Sequence, residues 1–377
     1  MPKALAPPRG AGARRLGSTM KHLLVMAAGT GGHVIPGLAV AAEMQRRGWS
    51  VSWLGTYKGF ENKLVPNAGI TLDRVAFSGL RGKGFFGNVL GALQLLVAFR
   101  TCARILQRRR ADAVLGMGGY VCFPGGWMAK LLGKPLLLVN ADASLLLSTR
   151  TLLPAARRIA FGFAGASASG AGAKAVVTGN PVRAEIEALP EPRIRFAGRA
   201  GALRLLVVGG SLGARVLNEC VPRAVAQLPA NERPHITHQT GEANREAVEF
   251  AYRGMGAKAD VRAFIDDIAW RLADCDVILC RAGAITVSEL CAAGVPAVLV
   301  PLVVSTTSHQ RDNAAWMASH GAAIHLPQAE LTADRLADLL AGLTRETLLA
   351  MATKARALAR PHAAARVADE IEAMVAA

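Results

Sequence analysis

Short runs of consecutive apolar residues alternate along the chain with longer stretches of helical period, the pattern of a parallel β-sheet with helices on both faces. Residues 22–27, 51–54, 113–115, 135–139, 175–178, 203–208, 277–280 and 297–300 read as strands. Between the fifth and sixth runs stands Thr178-Gly179-Asn180-Pro181-Val182-Arg183, followed by the Pro- and Arg-rich stretch 189–202. Turn formers and charge cluster there without apolar periodicity, so the boundary between two domains is expected at this point. Each half opens with an apolar strand running into a glycine-rich turn, which predicts two similar α/β domains.

The length of 377 residues fits two cores of ordinary size. With 52% hydrophobic residues, 19% charged residues and 39 glycines, the chain reads as folded, with many tight strand-to-helix turns. Cys102, Cys122, Cys220, Cys275, Cys280 and Cys291 contain no C-x-x-C pair and read as reduced cytosolic thiols. Residues 1–20 hold Pro, Gly, Ala and Arg without an apolar segment; they read as a frayed basic extension, with Met20 as an alternative start. The longest apolar run, residues 86–99, falls short of the roughly 20 residues that cross a bilayer.

A net charge of +17 calls for an acidic partner. Arg81, Lys83, Arg100, Arg104, Arg108, Arg109 and Arg110 fall in one stretch with no acidic residue, interleaved with Leu80, Phe85, Phe86 and an apolar run. Apolar and basic together point to an anionic membrane surface. Nucleic acid is not expected, because aromatic residues make up only 5% of the chain.

Four glycine-rich turns carry the candidate chemistry. Gly29-Thr30-Gly31-Gly32-His33 follows the first strand and precedes a helix expected to begin near Pro36; free backbone N–H groups and the helix dipole suit a diphosphate. It is no dinucleotide fingerprint, since no acid ends the second strand at Trp53-Leu54-Gly55-Thr56. Gly116-Met117-Gly118-Gly119-Tyr120 lies beyond the third run. Gly209-Gly210-Ser211-Leu212-Gly213-Ala214 also fits the G-x-S-x-G of serine hydrolases, a weaker alternative that would need His309 or His325 as base. Arg281-Ala282-Gly283-Ala284 leads into a helix with Glu289 expected in its first turn, where a carboxylate can accept ribose hydroxyls. Asp274-Cys275-Asp276 resembles a metal-binding D-x-D but precedes its strand, and His235 with His238 lacks H-E-x-x-H, so no metal site is expected.

These turns, together with Gly179-Asn180-Pro181-Val182-Arg183, Phe264-Ile265-Asp266-Asp267 and His309-Gln310, fall in the order found in the MurG family, which the chain after Met20 resembles. The resemblance implies the GT-B fold: two Rossmann-like domains facing across a cleft, an acceptor and membrane-docking domain of residues 21–180 plus a returning helix at 361–377, and a UDP-sugar domain of residues 181–360. It implies inverting transfer of N-acetylglucosamine from UDP-N-acetylglucosamine to the C4 hydroxyl of an undecaprenyl-diphosphate-linked muramoyl-pentapeptide. The product would be lipid II, made at the cytoplasmic face of the inner membrane without a cofactor.

Carried onto this sequence, the resemblance puts Ile265 and Arg183 at the uracil and Glu289 on the ribose. Ser211 and the turn from Ala284 through Ile285 and Thr286 to Val287 and Ser288 fall on the diphosphate, with His309 and Gln310 on the sugar. Thr30, Gly31, Gly32 and Asp142 complete the donor set, and Gly118, Gly119 and Tyr120 face the acceptor. His33 is the candidate base or an anion-positioning residue. Leu80, Arg81, Lys83, Phe85, Phe86 and Trp127 would dock on the membrane. Asp142 departs from the family, where many relatives carry Asn; His309 departs from a Gln-Gln pair found in some. A related transferase with another acceptor, a non-catalytic sugar-nucleotide binder and a nucleic-acid binder are the competing readings.

Overall fold

The computed structural model describes residues 20–29, 31–77, 85–302 and 308–376. Seven strands, β1 (His22–Ala27), β2 (Ser50–Thr56), β3 (Thr71–Val75), β4 (Ala113–Gly118), β5 (Leu136–Asn140), β6 (Arg158–Phe161) and β7 (Ala175–Val177), form one sheet in the order β3-β2-β1-β4-β5-β6-β7. Six more, β8 (Arg204–Val208), β9 (His235–Gln239), β10 (Ala259–Arg262), β11 (Val277–Cys280), β12 (Ala297–Leu299) and β13 (Ala323–His325), form a second in the order β10-β9-β8-β11-β12-β13. All pairings are parallel.

Alternate residues of the central strands feed opposite cores. Leu23 and Val25 pack with Val34, Val40 and Met44 of the helix Gly31–Arg46, while Leu24 and Met26 pack with Ala98, Cys102 and Leu106 of the helix Phe85–Arg109. The helix Ala363–Ala376 returns to the first sheet, burying Val367, Ala368, Ile371 and Met374 in the same core as Leu23. Arg47 clamps that helix through Asp369 at 2.7 Å and Glu372 at 2.8 Å. Val367, Ile371 and Met374 each contribute about 1.5–3 kcal/mol on burial, enough to hold the chain's end on its first half.

In both sheets the strand order reverses, between β1 and β4 and between β8 and β11. Helices leave on opposite faces at these points, opening a crevice at the strands' carboxyl ends. All four glycine-rich turns sit there.

Two expectations about helices need correction. The first helix begins at Gly31, not near Pro36: the glycines and His33 form its first turn, whose N–H groups have no helical partner, and Pro36 is accommodated inside. Glu289 is the sixth residue of the helix Ala284–Ala293, beyond its first turn, so it interacts with its neighbours rather than with the helix terminus.

Candidate active site

The two halves meet through buried amides. Asn313, wholly buried in the helix His309–Ser319, donates to Asp142 Oδ1 at 2.9 Å and to the Ala282 carbonyl at 3.1 Å, and accepts from Ala143 N–H at 2.8 Å. It therefore joins the loop after β5 to the turn after β11. Asn180 donates to the Ala141 carbonyl at 2.8 Å and to Ser288 Oγ at 2.9 Å, and Trp316 donates to the Ala164 carbonyl at 2.9 Å while its ring meets Phe163 at a tilt of 53°. These bonds bring the switch points of the two sheets to one cleft.

On the first-domain side the two glycine turns interlock. Gly118 has φ +125° and Gly119 φ +90°; a Cβ on Gly118 would lie 2.6 Å from His33 Cδ2, and one on Gly119 would lie 2.5 Å from the Ala28 carbonyl oxygen. Ala28 N–H donates to the Gly118 carbonyl at 3.3 Å. Only glycine permits this approach, and the result is a fixed seat for the imidazole. His33 Nδ1 is buried without a hydrogen-bond partner. Burial pushes the His33 pKa below its ordinary value, opposed in part by the Ala28 carbonyl and the Asp142 carboxylate. Tyr120, which follows Gly119 in the chain, is exposed.

On the second-domain side Arg183 Nε donates to Glu289 Oε1 at 2.8 Å, so two residues separated by over a hundred positions form one unit. Burial raises the Glu289 pKa, and the guanidinium opposes that rise. Ser211 is exposed in the turn between β8 and the helix Arg215–Gln227, where Gly210 and Gly213 have positive φ. No histidine bonds Ser211 among the described residues, and its strand opens a sheet, which leaves the hydrolase alternative without its triad.

Several expected site residues have other occupations. Val287 is buried in the core with its N–H donating to the Gly283 carbonyl at 2.9 Å, and the Ser288 hydroxyl is engaged by Asn180 and by the Ala284 carbonyl, so neither offers a free group to a diphosphate. Ile265 N–H donates to Gln239 Oε1 at 2.9 Å, while Gln310 Oε1 accepts from Leu302 N–H at 2.9 Å. His309 Nδ1 lies 3.5 Å from Ser144 Oγ. Trp127 is half-buried, packed partly against the first core, with the Lys130 ammonium 5.4 Å from its ring centroid. Thr30, Leu80, Arg81 and Lys83 lie outside the described residues; Phe85 and Phe86 open the helix Phe85–Arg109.

Three residues here were not singled out in the sequence. Besides Asn313, buried Gln239 spans two turns, donating to the Gly210 carbonyl at 2.8 Å and accepting from Ile265. Buried Glu61 holds Gly29. Their partners are remote in the chain, so local pattern gives no signal. Asp274 and Asp276 bond Arg204, Arg199 and Arg345 at the opposite end of the second sheet. No group of three metal-ligating side chains occurs among the described residues.

Residues 23–161 match the glycosyltransferase family 28 N-terminal domain, and residues 204–371 match the family's C-terminal domain. The UDP-N-acetylglucosamine--N-acetylmuramyl-(pentapeptide) pyrophosphoryl-undecaprenol N-acetylglucosamine transferase of Methylibium petroleiphilum is 68% identical over 362 residues, covering 95% of this chain and 98% of that protein. A protein of the same name from Chromobacterium violaceum is 65% identical over 351 residues, covering 93% and 97%. The crystal structure of Acinetobacter baumannii MurG aligns with a TM-score of 0.82 at 36% identity, covering 94% of this chain and 99% of that one. With two parallel-sheet domains facing across a cleft in the GT-B arrangement, the chain belongs to glycosyltransferase family 28 and, within it, to the MurG proteins.

Proposed function

We propose that this protein transfers N-acetylglucosamine from UDP-N-acetylglucosamine to the C4 hydroxyl of undecaprenyl-diphosphate-linked N-acetylmuramoyl-pentapeptide, giving lipid II for peptidoglycan. The observation that carries this reading is the meeting of two switch-point crevices in one cleft, bridged by Asn313, in a chain 68% identical to a transferase of that name.

The second domain holds the donor. The Glu289 carboxylate, oriented by Arg183, accepts the ribose hydroxyls, and the backbone of Ser211 and of Ala284, Ile285 and Thr286 receives the diphosphate. The Ile265 carbonyl reads the uracil; its N–H is committed to Gln239. Transfer is a single displacement. The acceptor oxygen attacks C1 from the face opposite UDP, the C1–O bond breaks with its electron pair going to the diphosphate, and amide N–H groups stabilise the growing charge. His33, neutral at pH 7 because burial lowers its pKa, takes the hydroxyl proton. The first-domain turn around Gly31 and Gly32 faces the donor sugar, and Gly118, Gly119 and Tyr120 receive the acceptor.

The helix Phe85–Arg109 carries the membrane contact. Leu93, Leu96 and Val97 are exposed, followed on the same face by exposed Arg100 and Arg104. Residues 20–180 contain nineteen Lys and Arg against five Asp and Glu, so the excess charge lies on the acceptor half. Among the described residues no helix is long and apolar enough to cross a membrane. Contact is therefore peripheral, on the cytoplasmic face, where the anionic surface attracts such a stripe.

A panel of acceptors tests the reading: the muramoyl-pentapeptide lipid, the same lipid lacking the muramoyl sugar, and unrelated sugar acceptors. Transfer confined to the first supports it, whereas preference for another acceptor identifies a related transferase instead.

A further inference from the structure

Glu61 is wholly buried, and among the described residues no Lys, Arg or His pairs with it. Its carboxylate is met by two backbone donors, Gly29 N–H at 3.0 Å and Thr56 N–H at 3.1 Å, and lies 2.7 Å from the Thr56 hydroxyl, whose single proton it shares with the Lys58 carbonyl. Space is reserved for it. A Cβ on Gly59 would lie 2.3 Å from Glu61 Oε2, and one on Gly55 would lie 2.8 Å from its Cγ. A buried carboxylate without a cation is costly, and backbone N–H donors offset that cost only in a set geometry.

The residue it grips is Gly29, at φ +98° where the chain leaves β1. Gly29 is held twice from the same segment, since its carbonyl accepts from Phe60 N–H at 3.1 Å. From the other side Gly118 and Gly119 close on Ala28 and His33. The peptide that aims the first turn of the helix Gly31–Arg46 is therefore fixed between two clamps, one of them Glu61. Because Gly29 N–H is spent on Glu61, it does not belong to the anion-binding amides.

We infer that Glu61 is a positioning residue of the transfer reaction: it sets the exit of the chain from β1, and through it the placement of His33 in the cleft. The inference rests on the reading of His33 as a group of the transfer site. Glutamine has the same shape but one acceptor oxygen, so it can receive Gly29 or Thr56 while its NH₂ confronts the other N–H.

The test is Glu61→Gln in the full chain. Misplacing a reacting group by about 1 Å costs roughly 10²-fold, so the single-turnover rate at saturating substrates is expected to fall by about that factor. UDP affinity should stay within about twofold, because the residues assigned to the uracil, ribose and diphosphate lie in the other domain, and amide exchange should quicken around Gly29 alone. A saturated rate within about threefold of wild type would overturn the inference. So would exchange quickening throughout the first domain with UDP affinity falling in step, which marks a merely structural role. If the wild type itself transfers no sugar, the functional reading fails, and exchange still judges the clamp: unchanged protection at Gly29 in Glu61→Gln overturns it. Should Glu61→Gln not fold, Thr56→Val removes one donor and is expected to give a smaller loss of rate with UDP affinity intact; a wild-type rate there also overturns the inference.

Discussion

Gly118 lies beneath the His33 imidazole so closely that a methyl group at 118 would stand 2.6 Å from Cδ2. Two turns separated by some eighty residues are thereby one object, and the smaller residue defines the position of the larger. Gly118→Ala adds both a clash and a strained φ of +125°. Its saturated turnover is expected to fall by about 10²-fold while UDP binding, measured by calorimetry, holds. Normal turnover would show that the imidazole's placement does not matter.

Asp142 supplies a second handle on the same histidine. Its negative charge favours protonated His33, against the larger effect of burial. Asp142→Asn removes the charge and keeps an oxygen for Asn313, so the fold should hold. With His33 as the proposed base its neutral imidazole is the form that accepts the proton, so the rate is expected to fall as pH drops through a pKa already below 6.5. In Asp142→Asn that acid limb should move to lower pH, and in His33→Ala it should vanish with the chemical step slowed about 10²–10⁴-fold. An acid limb unmoved by either change assigns the ionisation elsewhere. The same shift acts on stability: the unfolded chain binds the His33 proton more readily, so this contribution is lost as pH falls from 6.5 through the folded value.

Glu289 is held by Arg183 at 2.8 Å with its pKa raised by burial. Glu289→Ala should raise the donor KM by about 10- to 100-fold, the worth of about 1.5–3 kcal/mol from a charged hydrogen bond. In the wild type, donor affinity should decline on acidification at a pH above the ordinary carboxyl value of 4.5, since the protonated form no longer accepts two hydroxyls. Unaltered donor KM in the alanine variant removes Glu289 from the ribose.

The exposed stripe of Leu93, Leu96, Val97, Arg100 and Arg104 should govern membrane binding. Each basic residue contributes about 1 kcal/mol at an anionic surface, so reversing Arg100 and Arg104 to Glu, with Leu93 and Leu96 changed to Ser, should release the protein from anionic vesicles. Turnover of a short-chain soluble acceptor should survive. Equal vesicle sedimentation by both proteins would mark the stripe as an ordinary helix face.

Legibility in the sequence followed burial with one exception, β6, whose run Ile159 to Phe161 is buried yet too short to stand out beside its flanking loops. β1 was readable to the residue because Leu23 through Ala27 are wholly buried between two helical layers, and β11 likewise. β3 and β10 lie at sheet edges and carry Asp and Arg, and β13 is three residues long, so none showed a clear apolar run. β9 reads polar although it is central to one side of its sheet: His238 is buried against Tyr252, and Gln239 is buried between two turns. The glycine turns were legible because close backbone approach leaves a compositional mark. Asn313, Gln239 and Glu61 left none, since an amide or carboxylate looks the same in the sequence whether it meets water or a remote loop.

The most direct test of the central claim supplies the purified chain with UDP-N-acetylglucosamine and a short-chain muramoyl-pentapeptide diphospholipid, then follows both products. The expected result is UDP released in step with a lipid one N-acetylhexosamine heavier, its new linkage β by NMR, because one displacement inverts the α donor. UDP release without sugar on the lipid, or an α linkage in the product, would contradict the account.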